Sequence, residues 1–217
     1  MNILVMSDEE AKNFWDYYKP GAFKGIDLII SAGDLKAEYL TFIETVSNLP
    51  LLYVHGNHDE KYTIKPPEGC ICIEDDVYVH ESGLRIAGLG GSMRYRDGYF
   101  QYKEKDMQRR VRRLKRKLWR TRGFDILVTH APMAGFHDDP NDLCHTGFEV
   151  FRELLEQYRP QFFVHGHVHM NYGLKTPRLS QYQDTVVINA YRYHIFDPED
   201  PKVRKEAGKY GNPGNPK

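Results

Sequence analysis

Three cysteines, no net formal charge and only two tryptophans stand out as scarcities in this 217-residue chain. Cys70, Cys72 and Cys144 do not make a disulfide framework, so a reducing, cytoplasmic setting is the expected localisation. Cys70 and Cys72 flank Ile71 in a strand-like stretch, which puts both on one face as buried structural residues rather than metal ligands. The balance of 30 basic against 30 acidic side chains gives the whole molecule no electrostatic reason to approach nucleic acid or an anionic membrane. Any such attraction has to come from a local patch. The stretch Met1 to Asp8 meets an acid almost at once and carries no basic leader, unlike a secretory signal. No segment approaches the roughly 18 apolar residues of a membrane-spanning helix, so no membrane partner is expected.

Apolar runs of strand length are plentiful, and several end in a polar residue able to carry chemistry. Ile3 to Met6 leads into Ser7-Asp8, Leu28 to Ile30 into Ser31-Ala32-Gly33-Asp34, and Leu51 to Val54 into His55-Gly56-Asn57-His58-Asp59. Further on, Ile126 to Val128 leads into Thr129-His130-Ala131-Pro132, and Phe162 to Val164 into His165-Gly166-His167-Val168-His169. Near-continuous apolar strands are covered on both faces, and polar residues just past strand ends are where such sheets build sites. Five ends of this kind predict one shared rim. Helical spacing recurs over Glu9 to Tyr18, Ala37 to Ser47 and Gly147 to Tyr158. Between His58 and Asp125 short strands at 71–73, 77–79 and 84–89, with turns at Asp75-Asp76 and Ser82-Gly83, suggest a meander. The fold class expected is α/β, a single domain over 1–196 with two mixed sheets, followed by a polar Pro/Gly-rich tail over 197–217. From Pro198 onward that tail is expected to be loosely draped.

From Met107 the pattern turns helical, with Val111, Leu114 and Leu118 at core spacing. Nine basic residues between Arg109 and Arg122 occupy the other positions, uninterrupted by any acid. This is either the solvated face of an amphipathic helix or a surface for phosphate-rich partners such as nucleic acid.

The strand-end residues Asp8, Asp34, Asn57, His58, His130, His167 and His169 offer carboxylate, amide and imidazole donors. Mixed oxygen and nitrogen ligation suits Mn, Fe or Zn. A dinuclear site can clamp a phosphoryl group and make hydroxide available near neutral pH. Three His in five residues around Gly166 are hard to explain by packing, since a glycine lets the chain turn sharply enough for rings to converge.

Read together, Asp8-Glu9-Glu10, Gly33-Asp34, Gly56-Asn57-His58-Asp59, His130 and Gly166-His167-Val168-His169 resemble the motifs of the calcineurin-like metallophosphoesterase family, in the family's order. The resemblance implies a four-layer αββα sandwich with two divalent metal ions at the C-terminal strand ends. Asp8 and His169 would serve one ion, Asn57, His130 and His167 the other, with Asp34 bridging. His58 would be the general acid, with Asp59 orienting its ring. Manganese is the expected metal, with iron or zinc as alternatives. Glu10 stands where the family usually has a histidine, and it is either a metal ligand or an acid at the start of the next helix.

His165 and His55 each precede a motif and are expected in the interior or behind the ligands. His137 and His145 lie in the loop after His130, with His145 the better candidate for the substrate pocket. Arg94 and Arg96, after the Gly90-Gly91-Ser92 turn, are candidates for gripping an anionic group. The implied activity is hydrolysis of a phosphate mono- or diester, on a phosphorylated small molecule or nucleotide, by in-line attack of metal-bound hydroxide. The alternatives are a non-catalytic scaffold of the same fold and a nuclease using the basic helix over 109–122.

Overall fold

The computed structural model describes residues 1–170 and 176–210. Period-two alternation sets its layers. In the strand Ile3–Ser7 (β1), Ile3 and Val5 face one side while Leu4 and Met6 face the other, and all four are fully buried. One sheet is built in the order Arg192–Phe196 (β13), β1, Leu28–Ser31 (β2), Leu51–Tyr53 (β3) and Ile71–Cys72 (β4). The second runs Leu179–Tyr182 (β11), Thr185–Asn189 (β12), Phe162–His165 (β10), Ile126–Thr129 (β9), Arg85–Leu89 (β6) and Asp76–Val79 (β5). Ser92–Met93 (β7) and Gln101–Tyr102 (β8) form a small separate ribbon.

Val5, Ile30 and Leu52 of the first sheet meet Ile86, Val128 and Val164 of the second in a core between the sheets. The opposite face of the first sheet buries Leu4 and Ile29 against Tyr39, Leu40 and Ile43 of the helix Ala37–Ser47 (α1). The opposite face of the second buries Leu127 and Phe163 against Leu114 of Glu104–Thr121 (α2) and Phe151 of Glu149–Tyr158 (α3). The result is the expected αββα arrangement of two mixed sheets between helices. In both sheets the central pairings are parallel: β1 with β2, β2 with β3, β6 with β9 and β9 with β10. Parallel strands end together, so polar residues following β1, β2, β3, β9 and β10 gather on one rim.

Four expectations are corrected. The stretch Glu9 to Tyr18 forms only a 3-10 turn at Lys12–Phe14. Its aromatics must spread over several neighbours: Phe14 packs on Phe23 and Tyr193, and Trp15 on Tyr39 and Phe42, which a single helical stripe cannot reach. The supposed meander is divided between sheets, because β4 extends the first in parallel with β3 whereas β5 and β6 form a hairpin on the second. The chain crosses over at Asp75, whose φ of 52° supplies the turn. Cys72 is exposed and Cys70 only half-buried, since β4 is a two-residue edge strand with little to cover it. Finally, Pro201–Ala207 (α4) is helical, its N-terminus capped by the Asp200 carboxylate accepting from Lys202 N–H at 2.8 Å. Val203 and Ala207 pack into the core between the sheets, so the loosely draped chain expected here is an ordered helix. Residues 211–217 of that expected tail lie outside the described residues. Among the described residues, no helix is long and apolar enough to cross a membrane.

Candidate metal centre

Asp8, Asp34 and His167 all take left-handed backbone conformations, with φ of 66°, 58° and 66°. This region is uncommon for residues with a Cβ. Each of the three follows a strand end closely, and the reversal swings its side chain across the rim. The approach is tight: a Cβ on Gly56 would lie 2.5 Å from Asp34 Cγ, so only glycine lets these two segments meet.

The ring of His130, fully buried, stands at the middle. Its Nε2 lies 3.0 Å from Asn57 Oδ1, 3.1 Å from His167 Nδ1 and 3.3 Å from Asp34 Oδ2. The other ring nitrogens define the tautomers. His130 Nδ1 is 2.8 Å from the Ala32 carbonyl and His167 Nε2 is 2.6 Å from the Cys144 carbonyl. A carbonyl only accepts, so those two nitrogens carry the protons and the nitrogens that face one another present lone pairs. With both rings neutral, two imidazole lone pairs, a carboxylate and an amide oxygen converge with no proton donor among them. Ligand atoms of Asp34, His130 and His167 all lie within 4.8 Å of one another. Such a donor set fits a divalent cation.

Without a cation the same convergence attracts a proton. Burial disfavours a charged His130, but the Asp34 carboxylate outweighs it and lifts the imidazole to about 10. Asp34 is opposed by burial and held down to about 2 by the same pairing. His167, desolvated and facing His130, falls to about 4. One positive charge is accommodated there, and it sits on His130.

Asp8 and His169 form a looser neighbouring pair, with His169 Nε2 3.7 Å from Asp8 Oδ1. The Asp8 carboxylate accepts from the His167 N–H at 3.0 and 3.1 Å, which ties the two halves together. A hydrogen bond from His169 to that carboxylate raises its pKa, and its ring stacks on Tyr191 with centroids 4.9 Å apart. Glu10 points elsewhere and pairs with Lys36 Nζ at 3.2 Å. Glu9 is held by the Tyr191 hydroxyl and by Arg192, whose Nη2 lies 2.6 Å away.

A profile of calcineurin-like phosphoesterases matches residues 1–171. The chain belongs to this family. A segment of 68 residues is 31% identical to UPF0046 protein T07D4.2 of Caenorhabditis elegans; it is 31% of this chain but spans only 17% of that protein's length. Among solved structures, TT1561 of Thermus thermophilus is similar over 91% of this chain and 94% of that one, at a TM-score of 0.63 and 16% identity. GAP50, described as the anchor in the inner membrane complex of Plasmodium, is similar over 87% of this chain and 70% of its own, at a TM-score of 0.50 and 13% identity. These two likenesses concern the fold.

Beside this cluster, His58 donates its backbone N–H to Asp34 Oδ1 at 2.8 Å, and its side chain is exposed. Its Nδ1 faces Arg96 Nη2 at 3.5 Å. Asp59 is placed differently from the role expected of it. Its buried Oδ2 accepts from the N–H of Gly56 at 2.7 Å and of Asp34 at 2.9 Å, clamping two rim loops rather than the His58 ring. Burial and then the nearby Asp34 charge push Asp59 up to about 7. Arg94 turns to Asp97 at 3.0 Å. His145 is held by Asp142 at 2.6 Å, and its ring lies 5.3 Å from that of His167, centroid to centroid.

His165 lies beneath the rim, with its Nε2 2.8 Å from His137 Nδ1, and His137 Nε2 in turn is 2.6 Å from Ser180 Oγ. His55 pairs with Glu74 at 3.2 Å and stacks on Phe100. Sequence reasoning missed Tyr95, whose hydroxyl accepts from the Asn57 amide at 3.3 Å. An aromatic between two arginines in the 94–96 loop was the available signal. On α2, Arg113 and Lys117 are engaged by Asp75 and Asp76, so part of the basic run is neutralised within the molecule.

Proposed function

We propose that this chain is a dinuclear-metal-dependent phosphoesterase that hydrolyses phosphate mono- or diesters. The observation that supports this reading most strongly is the convergence of Asn57, His167 and Asp34 on His130 Nε2, at 3.0, 3.1 and 3.3 Å, around a site that takes up one positive charge. Asp34, Asn57, His130 and His167 would hold one ion, and Asp8 and His169, with Asp34 between the two sites, the other. The mixed oxygen and nitrogen set suits Mn²⁺, with Fe or Zn as alternatives. Bound divalent ions would neutralise the phosphoryl oxygens and lower the pKa of a water for in-line attack. His58, exposed and lining one cavity with Asp34, would give its proton to the departing oxygen, and Arg96 beside it would face the phosphoryl group. The substrate class is a phosphorylated small molecule or nucleotide, in keeping with the family.

A scaffold reading finds support in one contact. Glu10 is turned to Lys36, so the third side chain considered for the ion of Asp8 and His169 is engaged elsewhere. Metal analysis together with hydrolysis of nitrophenyl mono- and diesters, with Mn²⁺, Fe²⁺ or Zn²⁺ supplied, separates the two. Turnover that depends on added metal is the expected outcome. Inactivity on both esters with every metal overturns the phosphoesterase reading in favour of the scaffold.

A further inference from the structure

A cavity of about 500 Å³ opens beside the candidate centre, with Asp34 and His58 in its wall. Its size is that of a small-molecule pocket and exceeds what a phosphoryl group fills. The rest of the wall comes from two segments, the entry to α1 and the 3-10 turn Glu60–Thr63 with the chain just beyond it. The floor is fixed: the Tyr62 hydroxyl donates to the Leu35 carbonyl at 2.5 Å, and both side chains are buried. At the mouth stands Ile64, 89% exposed, an apolar side chain with nothing over it. Lys36, Lys61 and Lys65 contribute three ammonium groups, of which Lys36 is paired with Glu10 at 3.2 Å, leaving Lys61 and Lys65 to face a ligand. Among the wall's carboxylates only Glu38 lies outside the centre, 3.6 Å from Lys65. An apolar body with a cationic rim therefore adjoins the side of the centre where His58 stands.

We propose that this cavity receives the leaving group, and that the substrate is the phosphate ester of an apolar-bodied alcohol bearing its own anion, a carboxylate or second phosphate. The inference rests on the phosphoesterase reading and specifies its substrate. Hydrolysis joins a water oxygen to phosphorus, breaks the bond to the alcohol oxygen, and passes a proton from His58 to that oxygen, while the proton shed by the water restores His58. Inorganic phosphate and the free alcohol result, with the alcohol's anion still facing the lysines. Exposed ammonium groups act at close range and are screened by salt, so they discriminate rather than anchor.

The test uses two product alcohols, 6-hydroxy-2-naphthoate and 2-naphthol, and their phosphate monoesters, with the metal-loaded full chain. Equilibrium dialysis should show the naphthoate binding about tenfold tighter than naphthol, with the ratio falling toward one in a Lys61→Ala/Lys65→Ala variant. Ile64→Ser should weaken both alcohols together. The kcat/KM values of the two esters should differ in the same sense and converge in the double-lysine variant. Equal binding of the two alcohols, or a preference that survives loss of both lysines, overturns the subsite even if both esters are hydrolysed. Binding of the naphthoate without turnover of either ester, with Mn²⁺, Fe²⁺ or Zn²⁺, overturns the phosphoesterase reading and the leaving-group assignment with it.

Discussion

His130 Nε2 and His167 Nδ1 face each other at 3.1 Å, and each ring turns its other nitrogen, with a proton, to a backbone carbonyl on its far side. In the metal-free protein His130 is held near 10, so a proton fills the gap at neutral pH. A divalent ion has to displace it. Metal affinity should therefore rise about tenfold per pH unit below that value, with one proton released per ion at this position. Titration calorimetry in two buffers of different ionisation enthalpy measures the release. Binding without proton release would contradict the tautomers assigned here.

Asp59 carries a second pH dependence, of opposite sign. Its folded pKa of about 7 lies above the ordinary 3.8, so between those values the folded state binds a proton that the unfolded chain has lost. This contribution to stability is present at low pH and lost as pH rises through 7. Asn offers one oxygen in place of Oδ2 to both Gly56 and Asp34 N–H groups and brings no charge beside Asp34. The metal-free Asp59→Asn variant should gain on the wild type as pH climbs from about 4 to 7, by on the order of a few kcal/mol, and then level off. Thermal unfolding across that range reads the difference, and a pH-independent one would sink the account.

Arg110 is buried on α2, pairing with Glu74, with Asp75 at 2.8 Å and with the Gly90 carbonyl at 2.7 Å, and stacking on Tyr102. Removing it leaves the largely buried Glu74 carboxylate without its guanidinium and with His55 as its remaining partner. Arg110→Met should cost about 3–5 kcal/mol, and adding Glu74→Gln should recover a good part of the loss. Urea unfolding of the single and double variants checks this; additive losses would mean that the pairing carries no special weight.

Much of this architecture is legible because alternation and chemistry coincide at the strand ends. Ile126 to Val128 alternates between two cores and stops at His130, and Phe162 to Val164 does the same ahead of His167. What escaped is non-local or belongs to the backbone. The carbonyls of Ala32 and Cys144 fix the tautomers, yet no side-chain pattern announces a carbonyl. Tyr95 reaches Asn57 across 38 positions. The aromatics of 14–18 mimic helical spacing while packing on α1, on β13 and on Phe23 in the turn between β1 and β2. Asp59 reads as a partner for His58 by adjacency, but its carboxylate turns back to the loops on either side.

His58 touches the centre through its backbone, donating N–H to Asp34 Oδ1 at 2.8 Å, and alanine keeps that donor. His58→Ala should therefore retain metal while turnover falls about 10²- to 10⁴-fold, the usual scale of general acid help. Metal analysis beside nitrophenyl ester kinetics separates the two effects. Loss of metal in this variant would assign the imidazole to the centre itself.

Gly56 tests the packing that brings the two rim loops together. A Cβ there would lie 2.5 Å from both Asp34 Cγ and Asp34 N, so rotating the carboxylate cannot relieve the overlap and the loops must part. The Gly56 N–H that Asp59 accepts at 2.7 Å moves with them. Both strands beneath are held by their own ladder and core, so Gly56→Ala should fold, with metal affinity lowered about 10- to 100-fold, as for displaced groups that orient ligands. Asp59→Asn alone leaves the loops in register and should keep most of that affinity. Metal binding by calorimetry on the two variants distinguishes displacement of Asp34 from loss of the Asp59 charge. Equal weakening in both would show that charge, rather than the close approach at Gly56, governs the centre.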